Sequence, residues 1–270
     1  MKVSVITVVY NDLQGLKRTV ASVLGQSTKD FEYIILDGGS TDGCAEYINS
    51  LDFKGKKKSE PDDGIYNAMN KAVRMAQGDY CLFMNAGDTF HDDFVVEKAI
   101  GIIGDADLYV GHTVEIGENT INGMAPNPLT IEYLLRNSIY HQSTFIRTQL
   151  LLEHPYNEKH KITSDWEFFF EQWLYGAKYE PLDFFVANYY LGGYSFLHRE
   201  LIEQERTETI RRLIPQPRLR EFFLEGINQE KKSKLEKKIE AAMALPPISR
   251  DLKIMRNSLK ALVSDLIKNR

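Results

Sequence analysis

The opening strand constrains this chain more than any other stretch: Val3 to Val9 is a β-branched, apolar run that stops abruptly at Tyr10-Asn11-Asp12. Such a run reads as a buried strand, and the polar stop as the lead into a helix cap. The same unit then repeats. Leu13, Leu16, Val20, Val23 and Leu24 recur at helical spacing before Gly25. Phe31 to Leu36 is a second strand that halts at Asp37-Gly38-Gly39-Ser40-Thr41-Asp42, ahead of a helical pattern through Ala45, Ile48 and Leu51. After the basic turn Lys54 to Lys58, Ile65, Met69, Ala72, Val73 and Ala76 share one helical face. Tyr80 to Met84 and Asp107 to Val110 are further strands. Strands alternating with helices predict an α/β fold with a mostly parallel central sheet and helices on both faces. Ligands of such sheets bind beyond the carboxyl ends of the strands, where Tyr10, Asp37 and Asp88 lie.

With 270 residues there is room for one sizeable α/β domain and an appendage, taken as residues 1–200 and a C-terminal helical extension over 201–270. A hydrophobic fraction of 43% and a charged fraction of 26% exclude a disordered chain or a disulfide scaffold. Cys44 and Cys81 lack metal-site spacing. No leader pattern precedes the first strand and no segment approaches the apolar length of a membrane span, so a cytoplasmic protein is expected. The net charge of −5 is unevenly spread: residues 197–270 hold 17 Lys+Arg against 11 Asp+Glu, leaving 16 against 27 for residues 1–196. An acidic body suits carboxylates gathered around a cation. In the basic tail, Leu252, Met255, Leu259, Leu262, Val263 and Leu266 form an apolar stripe that a membrane surface, a partner subunit or the body itself could cover.

One segment carries the clearest chemistry. Asn85-Ala86-Gly87-Asp88 puts a carboxylate just past a buried strand, beside a glycine that lets a bulky anion approach. A hard divalent cation takes oxygen ligands, and one carboxylate, two diphosphate oxygens and waters complete its octahedron. Taken alone, the tetrapeptide reads equally as a turn whose Asp caps the next helix. Neither a G-x-G-x-x-G nor a Walker sequence follows the first strand, which argues against a Rossmann dehydrogenase.

Together with Ser4-Val5-Ile6-Thr7-Val8-Val9-Tyr10-Asn11, Tyr33-Ile34-Ile35-Leu36-Asp37-Gly38-Gly39-Ser40-Thr41-Asp42-Gly43 and Glu60-Pro61-Asp62-Asp63-Gly64-Ile65-Tyr66-Asn67-Ala68-Met69-Asn70-Lys71, this segment makes the chain resemble the family-2 glycosyltransferases of GT-A fold, in particular the bacterial capsule and exopolysaccharide branch. The resemblance covers roughly residues 1–115 well and 140–195 loosely. It implies an inverting glycosyltransferase, hexosyl- or N-acetylhexosaminyl-, using a nucleoside diphosphate sugar, UDP-linked first and GDP-linked second. Its acceptor would be a glycan or lipid-linked hydroxyl in cell-surface polysaccharide synthesis.

By the same resemblance Thr7, Val9, Tyr10, Asn11, Asp37 and Gly38 would hold the nucleoside, with Asp62, Gly64, Asn70 and Lys71 lining the pocket and Asn85, Ala86 and Gly87 meeting the donor. Lys71 is read equally as a phosphate contact or a solvated helix lysine. The family's Asp-x-Asp is reduced here to Asp88, since Asn85 and Gly87 stand where the pattern has acids. Asp88 would bind Mn2+ or Mg2+, with His198, after Gly192-Gly193-Tyr194-Ser195, as a second ligand. Thr163-Ser164-Asp165-Trp166-Glu167 resembles the family's acidic pair opening an aromatic helix, which makes Asp165 the general base and Glu167 its alternative. His141 and Gln142 would face the acceptor or the diphosphate. Partners implied are the donor, the acceptor and a membrane surface at the C-terminal helices, not nucleic acid; an oligomer stays open. A noncatalytic nucleotide- or sugar-binding module, or a different nucleotide-sugar enzyme, is the competing reading.

Overall fold

The computed structural model describes residues 3–192 and 198–227. Its first half follows the alternation: β1 (Val3–Val9), α1 (Leu13–Leu24), β2 (Glu32–Asp37), α2 (Cys44–Ser50), β3 (Lys56–Ser59), α3 (Ile65–Val73) and β4 (Tyr80–Phe83). The expected basic turn therefore contains a short strand, β3, which pairs with β2 in parallel from Ile34↔Lys56 to Asp37↔Ser59. Lysines can occupy it because its side chains are mostly exposed at the sheet edge.

The second half is less regular in order: β5 (Thr89–Phe90), α4 (Val95–Ile102), β6 (Leu108–Ile116), β7 (Ile121–Gly123), α5 (Ile131–Arg136), a 3₁₀ turn (His141–Ser143), β8 (Thr144–Arg147), α6 (Thr148–Glu153), α7 (Ser164–Tyr175), β9 (Tyr179–Tyr190), α8 (Arg199–Leu213) and α9 (Pro217–Ile227). The sheet runs β3-β2-β1-β4-β8-β6-β9-β5, with β7 on β6. Its β3-β2-β1-β4 portion is parallel, whereas β8 is antiparallel to both β4 and β6, and β5 to β9. The sheet is thus mixed: β6 and β9 again pair in parallel, from Leu108↔Tyr179 to Ile116↔Tyr190, with the antiparallel β8 between them and the first four strands.

Side chains alternate across the sheet as strand geometry requires. Ile6, Val8, Ile34, Leu36, Cys81 and Phe83 join one apolar layer, under α3, α5, α7, α8 and α9. Val3, Val5, Val9, Tyr33, Ile35, Tyr80 and Leu82 join the other, under α1, α2 and α4. Burial on both faces explains why β1 reads as a continuous apolar run.

Residue 200 is not a structural boundary among the described residues. Ile210 and Ile214, in and just after α8, and Leu219, Phe222 and Phe223 of α9 are buried in the same layer as Trp166 and Phe170 of α7. The Trp166 ring stacks on Phe170 at 5.1 Å, and the Arg206 guanidinium covers it at 4.7 Å. These helices complete the core rather than extend from it. The apolar stripe of residues 252–266 and the segment Gly193-Tyr194-Ser195 lie outside the described residues. Among the described residues no helix is long and apolar enough to cross a membrane.

Candidate active site

Parallel pairing brings the ends of β1, β2 and β4 to one edge. Val9 lies opposite Asp37, and the amides of Gly38 and Ala86 donate to Val9 O at 2.9 Å and Val8 O at 3.1 Å. Beyond this edge Tyr10 is 66% exposed, the most exposed large apolar side chain described. Asn11 adopts a positive φ of 50°, and its Oδ1 accepts from Thr41 N at 2.9 Å, tying the two loops together. Asp37 is fully buried; it accepts from Ser59 Oγ at 2.6 Å and from Ser40 N, and so shapes the loop that follows. Gly38 has a steric reason, because a Cβ there would meet Asp62 Oδ2 at 2.3 Å. Asp62 in turn accepts from Gly64 N at 2.8 Å.

Several expected donor contacts are committed elsewhere. Thr7 is fully buried, its hydroxyl 2.7 Å from Met84 O and 3.0 Å from Tyr33 Oη, so it joins β1 to the end of β4 instead of facing a nucleoside. Val9 is buried and offers only its backbone. The Asn70 amide is turned to Tyr156 and Glu158, and Lys71 Nζ donates to Pro61 O at 3.0 Å. The Asn70 side chain is turned away from the Tyr10–Asp62 edge, whereas Lys71 is tied to the carbonyl just before Asp62.

The Asn85–Asp88 loop is gripped by α1. Gly87 takes a φ of 105°, which L side chains rarely adopt, and its amide donates to Thr19 Oγ1 at 3.0 Å. The Thr19 hydroxyl donates to Asp88 O at 2.6 Å, while Arg18 Nε donates to Gly87 O at 3.0 Å. Arg18 also lies 4.6 Å over the Tyr190 ring. Sequence reading missed both residues, although a threonine on the apolar face of α1 is a signal. Asp88 itself is 6% exposed; its Oδ2 accepts from Gln142 Nε2 at 3.0 Å and its Oδ1 from Tyr190 N at 3.2 Å. Burial pushes its carboxyl up to about 6, against the pull of Gln142, the Tyr190 amide and the His141 and Arg18 charges.

His141 and Gln142 connect this loop to the start of α7. His141 Nδ1 lies 2.9 Å from Asp165 Oδ2, and Asn85 Nδ2 is 3.2 Å from its Nε2. A carboxylate on one nitrogen and an amide donor on the other place the imidazole proton on Nδ1. Asp165 Oδ1 accepts from Trp166 N at 2.8 Å and faces the Tyr66 hydroxyl at 3.1 Å. Burial, then the Asp165 charge, push the Tyr66 phenol well above its ordinary value, which keeps it a donor. Asn85, expected to meet the donor, and Tyr66, given no role by the sequence, complete the constellation.

Glu167, one turn along, points elsewhere. Its carboxylate accepts from Thr209 Oγ1 at 2.6 Å and Arg212 Nη2 at 2.6 Å, with His160 Nδ1 3.0 Å away. Burial pushes its carboxyl up, but His160, Thr209 and Arg212 outweigh that and hold it below the ordinary value. It anchors α8, so it is not placed as an alternative base. On the same helix Glu205 accepts from the amides of Lys161, Ile162 and Thr163, at 2.6, 3.2 and 2.9 Å, and from the Thr163 hydroxyl at 2.9 Å. His198 is the residue preceding α8, and among the described residues no group of three or more His, Cys, Asp or Glu side chains is gathered to hold a metal. Asp88 offers one carboxylate there, and a hard cation held by it would need its remaining oxygen ligands from a bound anion and water.

The fold has counterparts among solved structures. S. aureus TarS 1-349 in complex with UDP-GlcNAc superposes with a TM-score of 0.64 at 16% identity, covering 98% of this chain and 92% of that one. The mannosyltransferase PcManGT from Pyrobaculum calidifontis, in complex with GDP-Man and Mn2+, gives 0.60 at 14% identity, over 100% of this chain and 88% of that chain. The fold is that of the GT-A glycosyltransferases. The Glycosyl transferase family 2 model matches residues 4–206, and the chain belongs to that family. Among curated relatives, the uncharacterized glycosyltransferase Rv1514c of Mycobacterium tuberculosis is 33% identical over 174 residues, which cover 62% of this chain and 66% of that protein. The match therefore spans just under two thirds of that relative's length.

Proposed function

We propose that the chain is an inverting glycosyltransferase that moves a hexose or N-acetylhexosamine from a nucleoside diphosphate sugar to an acceptor hydroxyl. The observation that carries this reading is the hydrogen-bonded chain from Asp165 through His141 to Asn85, next to the Gln142–Asp88 bond. It sets a proton-accepting pair beside the loop that would meet a diphosphate. UDP is proposed as the nucleotide, with GDP second; the S. aureus and Pyrobaculum calidifontis proteins are seen with UDP-GlcNAc and GDP-Man.

Tyr10 would offer its exposed face to the base, with Asp37 and Asp62 shaping the nucleoside edge. Asp88 would hold Mn2+ or Mg2+, and the cation, when bound, would neutralise the charge of the departing diphosphate. In direct displacement the acceptor hydroxyl must lose its proton as the bond to the anomeric carbon forms. The Asp165–His141 pair is the group placed to take it. The Trp166 amide holds one carboxylate oxygen, beside the Tyr66 hydroxyl, and the other oxygen meets the imidazole.

The acceptor is proposed to be a glycan or lipid-linked hydroxyl of cell-surface polysaccharide, as in the capsule and exopolysaccharide branch that the Asn-Ala-Gly-Asp segment resembles. Contact with the inner face of the membrane is part of that proposal. Calorimetry with UDP and with GDP in the presence of Mn2+ tests the reading. Asp88→Ala is expected to abolish metal-dependent nucleotide binding, and Asp165→Ala to retain binding while losing nucleoside diphosphate release from the donor. Binding of neither nucleotide would sink the proposal. Binding without turnover in the wild type would favour a noncatalytic module.

A further inference from the structure

We infer that His141, not Asp165, is the group that touches the acceptor and takes its proton, and that Asp165 is a positioning residue acting through it. The inference deepens the reading above and rests on it. Asp165 has little room to act alone. Its Oδ1 accepts from Trp166 N at 2.8 Å and lies 3.1 Å from the Tyr66 oxygen, whose one proton is shared with Ile162 O at 2.5 Å, and its Oδ2 meets His141 Nδ1 at 2.9 Å. Trp166 N and the Tyr66 hydroxyl thus flank Oδ1, and the imidazole takes one of about two lone-pair directions on Oδ2. The imidazole, by contrast, presents an unprotonated nitrogen. With its proton on Nδ1, Nε2 carries an in-plane lone pair whose one partner here is the Asn85 amide, at a long 3.2 Å.

Asn85 supplies a second, independent indication. Its Oδ1 is buried without a hydrogen-bond partner among the described residues. A buried amide with one satisfied and one orphaned end is poised to be re-paired when a ligand arrives. Asn85 stands at the head of the loop that would meet the donor, so a sugar hydroxyl that donates to its Oδ1 draws the amide away from Nε2. The acceptor hydroxyl then occupies the place the amide held.

The step balances without a further reactant. The acceptor O–H proton passes to Nε2, the oxygen's electron pair forms the bond to the anomeric carbon, and the bond from that carbon to the diphosphate oxygen breaks with its pair staying on the diphosphate. The resulting imidazolium is held against the Asp165 carboxylate. Water can take the acceptor's place, giving free sugar and nucleoside diphosphate. The charged and titratable groups around the imidazole are Asp165 of α7, Asp88 of the loop after β4 and Tyr66 of α3, with Arg206 of α8 behind Asp165.

The test has two readouts on the full chain. First, imidazole 15N NMR of the wild type is expected to show His141 protonated at Nδ1, and that preference to be lost in Asp165→Asn. A neutral ring carrying its proton on Nε2 would overturn the inference whether or not turnover is seen. Second, nucleoside diphosphate release is measured with UDP-GlcNAc and GDP-Man. His141→Gln and Asp165→Asn should each slow it by at least about 100-fold, with UDP or GDP binding retained. The double variant should be no slower than either alone, as for residues acting as one unit. A loss under tenfold in His141→Gln beside a full loss in Asp165→Asn returns the proton to Asp165. Absence of all nucleotide binding and release in the wild type would instead count against the transferase reading, while the NMR result still decides the proton's place.

Discussion

The two halves of the sheet position their functional residues by different means. Along β1, β2 and β4 the strand ends do the placing: Tyr10, Asp37 and Asn85 stand where three parallel strands stop, and the loops behind them are held by contacts such as Asn11 to Thr41 and Asp37 to Ser59. Around α7 the strands contribute little. Asp165 is placed by α3 through Tyr66, by the 3₁₀ turn through His141, and by α8 through the bonds from Glu205 to the preceding backbone. The first half stores its geometry in topology, the second in a few buried polar contacts. Buried polar contacts are costly to leave half made, so the second half should fail first when one partner is removed.

Glu205 gives the largest expected effect. It is 4% exposed, and its loss strands three amides and a hydroxyl just before Asp165. Two or more unpaired buried donors cost about 3 kcal/mol or more. Glu205→Ala should lower unfolding free energy in urea by that amount and slow donor turnover, while UDP or GDP binding at the strand ends persists below the new midpoint. Equal loss of nucleotide binding and turnover would show that the halves are not separable in this way.

That asymmetry also decides what could be read from the chain. Val3–Val9, Leu13–Leu24 and the stop at Asp37 carry their periodicity and caps locally, and the structure matches them closely. Helix α7 was legible too, from its aromatic residues and flanking polar run. Its contacts were not. Nothing distinguishes Glu205 from Glu203 or Glu208 within the charged sequence of α8, yet Glu205 alone of the three is buried. Glu167 looked like a spare base because it follows Asp165 by two positions, which on a helix turns it to a different face, toward Thr209 and Arg212. Asn70 and Thr7 failed for the opposite reason: they sit inside matching motifs, but their polar atoms satisfy buried backbone. A motif marks the neighbourhood of a ligand; which of its members face that ligand is a tertiary question.

Asp88 allows the comparison to be sharpened by pH. Its folded-state carboxyl is raised to about 6 from an ordinary 3.8, so the charged form burdens the metal-free fold. The burden is full above pH 6, shrinks as pH falls through that value and is gone below the unfolded value. A shift of this size corresponds to about 3 kcal/mol, and an amide forfeits one acceptor worth about 1 kcal/mol. Asp88→Asn should therefore stabilise the metal-free protein by about 2 kcal/mol at pH 7.5 and by nothing, or less than nothing, at pH 4. Paired denaturation curves at the two pH values measure this. A pH-independent difference would mean that the Gln142 and Tyr190 contacts, and not burial, govern the group. Stability rising where binding is lost is also what separates a functional carboxylate from an anchoring one such as Glu205.

Tyr10 carries the smallest effect on the fold and the most selective one on the site. At 66% exposure its ring buries little, so Tyr10→Ala should change unfolding free energy by no more than about 0.5 kcal/mol. Stacking of an aromatic ring on a nucleobase is worth about 1–3 kcal/mol, so nucleotide affinity in the same variant should fall by about 5- to 150-fold. Tyr10→Phe should restore it, because a stacking face needs no hydroxyl. If affinity is unchanged in Tyr10→Ala, the strand-end half does not recognise the base through this residue, and the nucleoside would have to be sought at Asp37 and Asp62. If Tyr10→Phe fails to restore it, the hydroxyl is the contact, and recognition at the parallel half rests on placed polar atoms after all, as it does around α7.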